Sequence, residues 1–258
     1  TDLQNLQQKN SYDFWAGAKA EIIFDNTRNP ALNIFFGSRW KVFIENYRQV
    51  DNLKEDLWVM GMDYRHYMPI HRNFIWANRF AYGTSFGKQL LIYYLGGVDS
   101  WLTPKFNTDI NVDPNKNYAY QTIATNMRGF TQNIRNGNSF FVINSEFRFP
   151  VFSYLLNRPI NNQFVKNFQI ITFADLGSAW TGLQPFSKDN SFFTTEIHEP
   201  GSPVSITVVT QRNPIVFGFG TGIRTSLLGY MVKADVAWGV DDGVIMPRVF
   251  YISLSMDF

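Results

Sequence analysis

Apolar and polar side chains alternate along this chain in segment after segment. A period of two is that of a β-strand whose faces meet different surroundings. The stretch Arg248 to Phe258 carries the pattern most fully. Phe250, Ile252, Leu254, Met256 and Phe258 fall on one face of the predicted strand, and Val249, Tyr251, Ser253, Ser255 and Asp257 on the other. A strand of about ten residues, wholly apolar on one face, has the length and character of a membrane-crossing β-strand.

The same alternation predicts strands upstream. Ala18, Ala20, Ile22 and Phe24 oppose Lys19, Glu21 and Asp25; Trp40, Val42 and Ile44 oppose Arg39, Lys41 and Glu45. Trp58, Met60, Met62 and Tyr64 oppose Gly61, Asp63 and Arg65. Phe74, Trp76, Phe80 and Tyr82 oppose Ala77, Arg79, Ala81 and Gly83, with Asn78 a polar exception. Further on, Phe141, Ile143, Phe147 and Phe149 oppose Asn144, Glu146 and Arg148. The segment Phe168 to Trp180 is apolar on both faces apart from Asp175, so length and composition alone mark it as a strand. Phe217, Phe219, Ile223 and Leu227 oppose Gly218, Gly220, Gly222 and Arg224, and Val232, Ala234, Val236 and Trp238 oppose Lys233, Asp235 and Ala237. With the terminal stretch this makes about nine strands, separated by segments rich in Asn, Gly, Asp and Pro.

Alternation does not by itself say which face is inside. A soluble barrel or sandwich buries the apolar face. Here the charges keep to one face in mid-strand, and the other faces carry more Phe, Trp, Met and Ile than a single core holds, whereas lipid accepts such rows. The expected fold is therefore all-β, a transmembrane antiparallel β-barrel. Nine is an odd count for a single-chain bacterial barrel, and open edges are not tolerated in lipid. Either the count is off by one, or earlier strands lie outside this sequence. The whole of 1–258 is read as one outer-membrane barrel domain with two long loops, 96–138 and 181–213. Loops of that length are functional or disordered.

Composition sharpens this picture. A net charge of +2 lacks the basic excess of a nucleic-acid binder, and 25 Phe, 12 Tyr and 7 Trp suit strands and aromatic girdles. No apolar run is long enough for a membrane helix. With no cysteine, a disulfide framework or thiolate site is excluded. The chain begins at Thr1 without a basic n-region and apolar h-region, so an export signal or upstream domain is expected before it.

Several motifs occur in a linked order. Met127-Arg128-Gly129-Phe130 lies in the first loop. After it come the strand through Glu146, the sequence Phe173-Ala174-Asp175-Leu176-Gly177, the Gly218-x-Gly220-x-Gly222-x-Arg224 strand, and the strand with Lys233 and Asp235. Upstream stand Asp25, Arg28 and Pro30, then Gly37-Ser38-Arg39. This order resembles the C-terminal half of the bacterial surface antigen superfamily, which includes the BamA and TamA assembly proteins and FhaC-type pores. The nine segments resemble strands eight to sixteen of a sixteen-stranded family barrel. Met127 departs from the family's β-branched residue at the head of the lid-loop motif, and no POTRA domain is present.

The resemblance implies a lid loop, 96–138, that enters the lumen with Arg128 paired to Asp175 and with Glu146 as a second partner. It also implies insertion or export of proteins at the bacterial outer membrane. The terminal strand, through Phe250, Ile252, Leu254, Met256 and Phe258, forms one side of a lateral seam and carries the assembly signal. Expected partners are outer-membrane lipid, client outer-membrane or secreted proteins, and accessory lipoproteins or a periplasmic domain, with no nucleic acid. A docking barrel that anchors a periplasmic domain, and a small diffusion pore, are the competing readings.

Lys233 and Asp235 are expected to line the lumen and serve electrostatics. The Gly218, Gly220, Gly222 series sits inside a strand and suits close backbone or lid-loop approach. Enzymatic readings find little support. His66, His71 and His198 lie in turns or loops, no Ser–His or Asp–His constellation stands out, and neither a metal nor another cofactor is expected.

Overall fold

The computed structural model describes residues 14–50, 55–112, 116–156, 158–187, 190, 194–198, 205–209 and 212–258, with main chain only for 194–198 and 205–209. The start at Thr1 and residues 188–189, 191–193, 199–204 and 210–211 of the second expected loop lie outside the described residues.

The chain builds an antiparallel sheet of eleven strands. Nine are long: β1 (Trp15–Asp25), β2 (Ile34–Gln49), β3 (Asp56–His71), β4 (Phe74–Gly87), β5 (Ser139–Phe149), β6 (Gln169–Trp180), β7 (Val216–Leu227), β8 (Tyr230–Asp241) and β9 (Val249–Leu254). Each pairs with its sequence neighbour, so the sheet is an up-and-down meander. These correspond to the nine expected segments, eight predicted by alternation and β6 by length and composition. Two short strands, Arg28–Ala31 and Val244–Ile245, complete the sheet beside the turns after β1 and β8. They are too short to show a period. The sheet is not closed, since β1 and β9 do not pair with each other.

Side-chain burial is inverted relative to a soluble domain. Phe250, Ile252, Ile223, Phe147, Ile143, Met60 and Ile22 are exposed on one face. Asn144, Glu146, Arg148, Asp175, Arg224, Lys233 and Asp235 are buried on the other. What covers this inner face is the first loop together with Leu90–Leu95, a strand just before it that the sequence did not predict. Leu90–Leu95 pairs in parallel with Tyr118–Ile123 and antiparallel with Arg135–Gly137, forming a small second sheet. Its Leu91, Tyr93 and Leu95 pack with Met127, Phe130 and Ile134 against Leu57, Val59, Ala81, Phe140 and Val142 of the main sheet. Alternation is weak in Leu90–Leu95 because most of its side chains are buried on both faces. The second loop also has structure, a hairpin of Thr194–His198 with Ser205–Val209.

One expectation about the terminal strand is corrected. The strand ends at Leu254 rather than continuing to Phe258. Phe250, Ile252, Leu254 and Met256 face outward, but Phe258 is only 7% exposed and packs with Ile34, Tyr67, Ile75 and Ala77. The physical cause lies in Asp257, whose carboxylate meets Arg224 Nε at 2.8 Å and Lys233 Nζ at 3.3 Å. Arg148 Nη2 also donates to the Phe258 main-chain oxygen at 2.9 Å. These contacts draw the tail off the strand line and toward the inner face.

Candidate functional site: a lid latched to the inner face

The site is assembled where one rung of the sheet crosses β4 to β8. In register along it stand Arg79, Asn144, Asp175, Gly218 and Gly239. Asp175 supplies the charge, and the two glycines beside it leave a floor without side chains. The lid main chain lies on that floor. A Cβ on Gly218 would run into the Arg128 main-chain oxygen, and one on Gly239 into the Phe130 ring. Gly129 itself has φ +98°, and a side chain there would meet Trp238 O at 2.6 Å. Glycine is therefore required on both sides of this contact.

Arg128 fastens the lid. Its main-chain N–H and Nε donate to Asp175 Oδ2 at 3.0 and 2.7 Å, and Nη2 donates to Oδ1 at 2.6 Å. Nη1 donates to Glu146 Oε1 at 2.5 Å. The guanidinium carbon lies 3.7 Å from the centroid of the Phe173 ring, a cation–π stack. Burial alone would lower the Arg128 pKa; the adjoining Asp175 and Glu146 carboxylates outweigh it and hold it well above its ordinary value.

A two-point grip on one carboxylate fixes orientation as well as adding energy. Desolvation makes the net worth of such a pair small, yet removing one partner leaves a buried charge uncompensated. Asn144 Nδ2 bridges Asp175 Oδ1 at 2.8 Å and the Asn126 carbonyl at 3.0 Å, tying the loop once more.

Charges beyond the latch are matched. Glu146 Oε2 accepts from Arg148 Nε at 2.9 Å. Arg224 grips Asp235 through Nη1 at 2.5 Å and Nη2 at 3.1 Å, and Asp257 joins Arg224 to Lys233. Lys233 and Asp235 are thus members of an ion network on the inner face. Tyr251 connects the lid to the terminal strand. Its hydroxyl accepts from Gly129 N at 3.0 Å and donates to Phe130 O at 2.7 Å.

The structure brings Met127, Arg128, Gly129, Phe130, Asp175 and Glu146 into one buried cluster, with Met127 N donating to Gly97 O at 3.0 Å. Phe250, Ile252, Leu254 and Met256 are not part of it. Asn144, Arg148, Arg224, Gly239, Tyr251 and Asp257 belong to the site but were given no role by the sequence. For Asn144, Arg148, Arg224 and Asp257 the signal was present in the alternation, which sets each opposite the apolar row of its own segment; Gly239 and Tyr251 carried none. Among the histidines, His66 Nδ1 pairs with Ser38 Oγ at 2.8 Å and His71 Nδ1 with Tyr154 Oη at 2.9 Å. The side chain of His198 lies outside the described residues.

Compared with known proteins, the chain matches no family model. No curated protein matches it either.

Proposed function

We propose that this chain is the C-terminal part of a bacterial outer-membrane β-barrel of the surface antigen type, which inserts or exports proteins at that membrane. One observation carries the reading. A loop bearing Met127-Arg128-Gly129-Phe130 lies on the charged face of an up-and-down sheet, with Arg128 held by Asp175 and Glu146. That arrangement is what the linked motifs imply. The inverted burial supports a lipid-facing outer surface, because rows of Phe, Ile and Met opposite buried charges suit a bilayer and not water.

In this reading the work is mechanical and not catalytic. The lid braces the inner face, β9 offers one side of a seam, and a client strand adds to that edge by β-augmentation. Outer-membrane lipid, client proteins and accessory lipoproteins or a periplasmic domain are the partners. No cofactor takes part.

The test is reconstitution of the full-length protein in liposomes, with an unfolded small outer-membrane barrel supplied as client. The expected result is faster client folding, read as the folded band in cold gel electrophoresis, and loss of that gain in Arg128→Ala. Ion conductance without faster folding would make the protein a diffusion pore. Neither effect would leave a docking barrel.

A further inference from the structure

The edge of β9 that faces away from β8 is not bare. Trp101 of the lid loop forms an antiparallel bridge with Ser253, and Leu102 N donates to Ile252 O at 2.9 Å. The Trp101 ring packs on Tyr251 with centroids 4.8 Å apart. Just before it the chain turns through Ser100 at φ +55°, which brings these two residues alongside the strand. Gly97 pairs with Met127 at the base of the same segment, so the turn and the Arg128 latch are one assembly.

We propose that Trp101–Leu102 is a built-in edge cap, a short stand-in for a neighbouring strand that must leave before another strand can pair with β9. The proposal rests on the reading of β9 as the client-facing edge. Three features mark the cap as displaceable. Among the described residues its main chain is bonded to β9 at Ile252 and Ser253 alone, whereas β8 pairs with β9 from Val249 to Leu254. Trp101 Nε1 and Ser253 Oγ are buried at this contact without hydrogen-bond partners among the described residues, so the seat is imperfectly satisfied.

The third feature is a groove of about 460 Å³ beside the earlier part of β9, lined by Trp101, Lys105, Phe130, Met246, Arg248 and Phe250. Main-chain groups two residues apart point to the same edge of a strand, so those of Phe250 face the same way as the capped Ile252. An incoming strand therefore has a foothold at Phe250 and displaces the cap as it extends toward Leu254. The cap and the client compete for the same carbonyl.

The probe is a synthetic peptide with the sequence Trp15 to Asp25, carrying a photo-crosslinker at its centre and added to the full-length protein in detergent. Peptide crosslinked to β9 is quantified by mass spectrometry. Leu102→Pro deletes the N–H donor and is expected to raise capture about fivefold, the ratio set by one net hydrogen bond. Leu102→Ala keeps the donor and is expected to match the wild type.

Residues 1–258 hold no cysteine, so Trp101→Cys with Ser253→Cys introduces one defined pair into this part of the protein, and any cysteine upstream is replaced by serine. Oxidation is expected to suppress capture and reduction to restore it, which also controls for folding. Equal capture in all variants and redox states overturns the cap, as does failure of the disulfide to form. If capture follows the expected pattern but the liposome assay shows no client folding, the cap stands and the assembly reading falls.

Discussion

The main-chain oxygen of Arg128 rests against Gly218, near the start of β7, so closely that a methyl group there has no room. Gly218→Ala is expected to push the lid off its floor. Overpacking against backbone costs about 1–3 kcal/mol. Limited proteolysis with trypsin, which cuts after Lys105 and Arg128, is expected to accelerate. Unchanged cleavage would mean that the lid does not press on β7.

Arg128→Ala leaves Asp175 without its cation and Glu146 with Arg148 alone. Loss of one partner from a buried ion cluster costs about 3–5 kcal/mol. Arg128→Lys keeps the charge but cannot grip both Asp175 oxygens, and an intermediate loss is expected. A double-mutant cycle of Arg128→Ala with Asp175→Ala, read by denaturant titration in detergent, should return a coupling of up to about 3 kcal/mol. A coupling near zero would reduce the latch to two independently solvated groups.

Tyr251→Phe removes one hydroxyl and strands the Gly129 N–H, while the Phe130 carbonyl keeps the Gly97 N–H at 3.1 Å. Leaving buried main-chain groups unpaired costs about 1–3 kcal/mol. Hydrogen exchange at the Gly129 amide is expected to speed up, while amides of the β2–β3 pairing remain protected. Exchange that is unchanged at Gly129 would mean that the Tyr251 hydroxyl does not hold the lid main chain.

Phe258 and Phe250 lie in adjacent parts of the chain but on opposite sides of the sheet, 7% and 62% exposed. Phe258→Ala is expected to destabilise by about 3–5 kcal/mol, as for other buried aromatic truncations. Phe250→Ala removes a ring that packs on no protein core and is expected to stay within about 0.5 kcal/mol in detergent. Thermal unfolding of the two variants distinguishes the tucked tail from a strand that runs straight to Phe258.

All the long strands but β6 were legible because each lies between two unlike environments, which writes a period of two into the side chains. The two-residue strand Val244–Ile245 has no room for a period, and Leu90–Leu95 is mostly buried on both sides. Asp175 was legible as a lone charge in an apolar segment. Tyr251 was not, because a tyrosine among serines on a polar face looks like filler until the lid is laid over it. The inward turn at Ser255 was hidden for another reason. Alternation continues unbroken to Phe258, and groups distant in sequence, the cations Arg148, Arg224 and Lys233 with the amide of Asn33, pull the tail aside.

That turn has a mechanical consequence. Asn33, in the bend before β2, donates from Nδ2 to Asp257 Oδ2 at 2.8 Å and accepts from Asp257 N at 3.1 Å. The tail thus runs like a drawstring from the last strand to the far side of the curved sheet, joining margins that share no ladder of main-chain hydrogen bonds. A cord of this kind limits how far the margins can spread at one rim while leaving the other rim free to splay. If the proposed seam parts, such a tether would make the opening wedge-shaped, narrow beside Phe258 and wide beside Arg248.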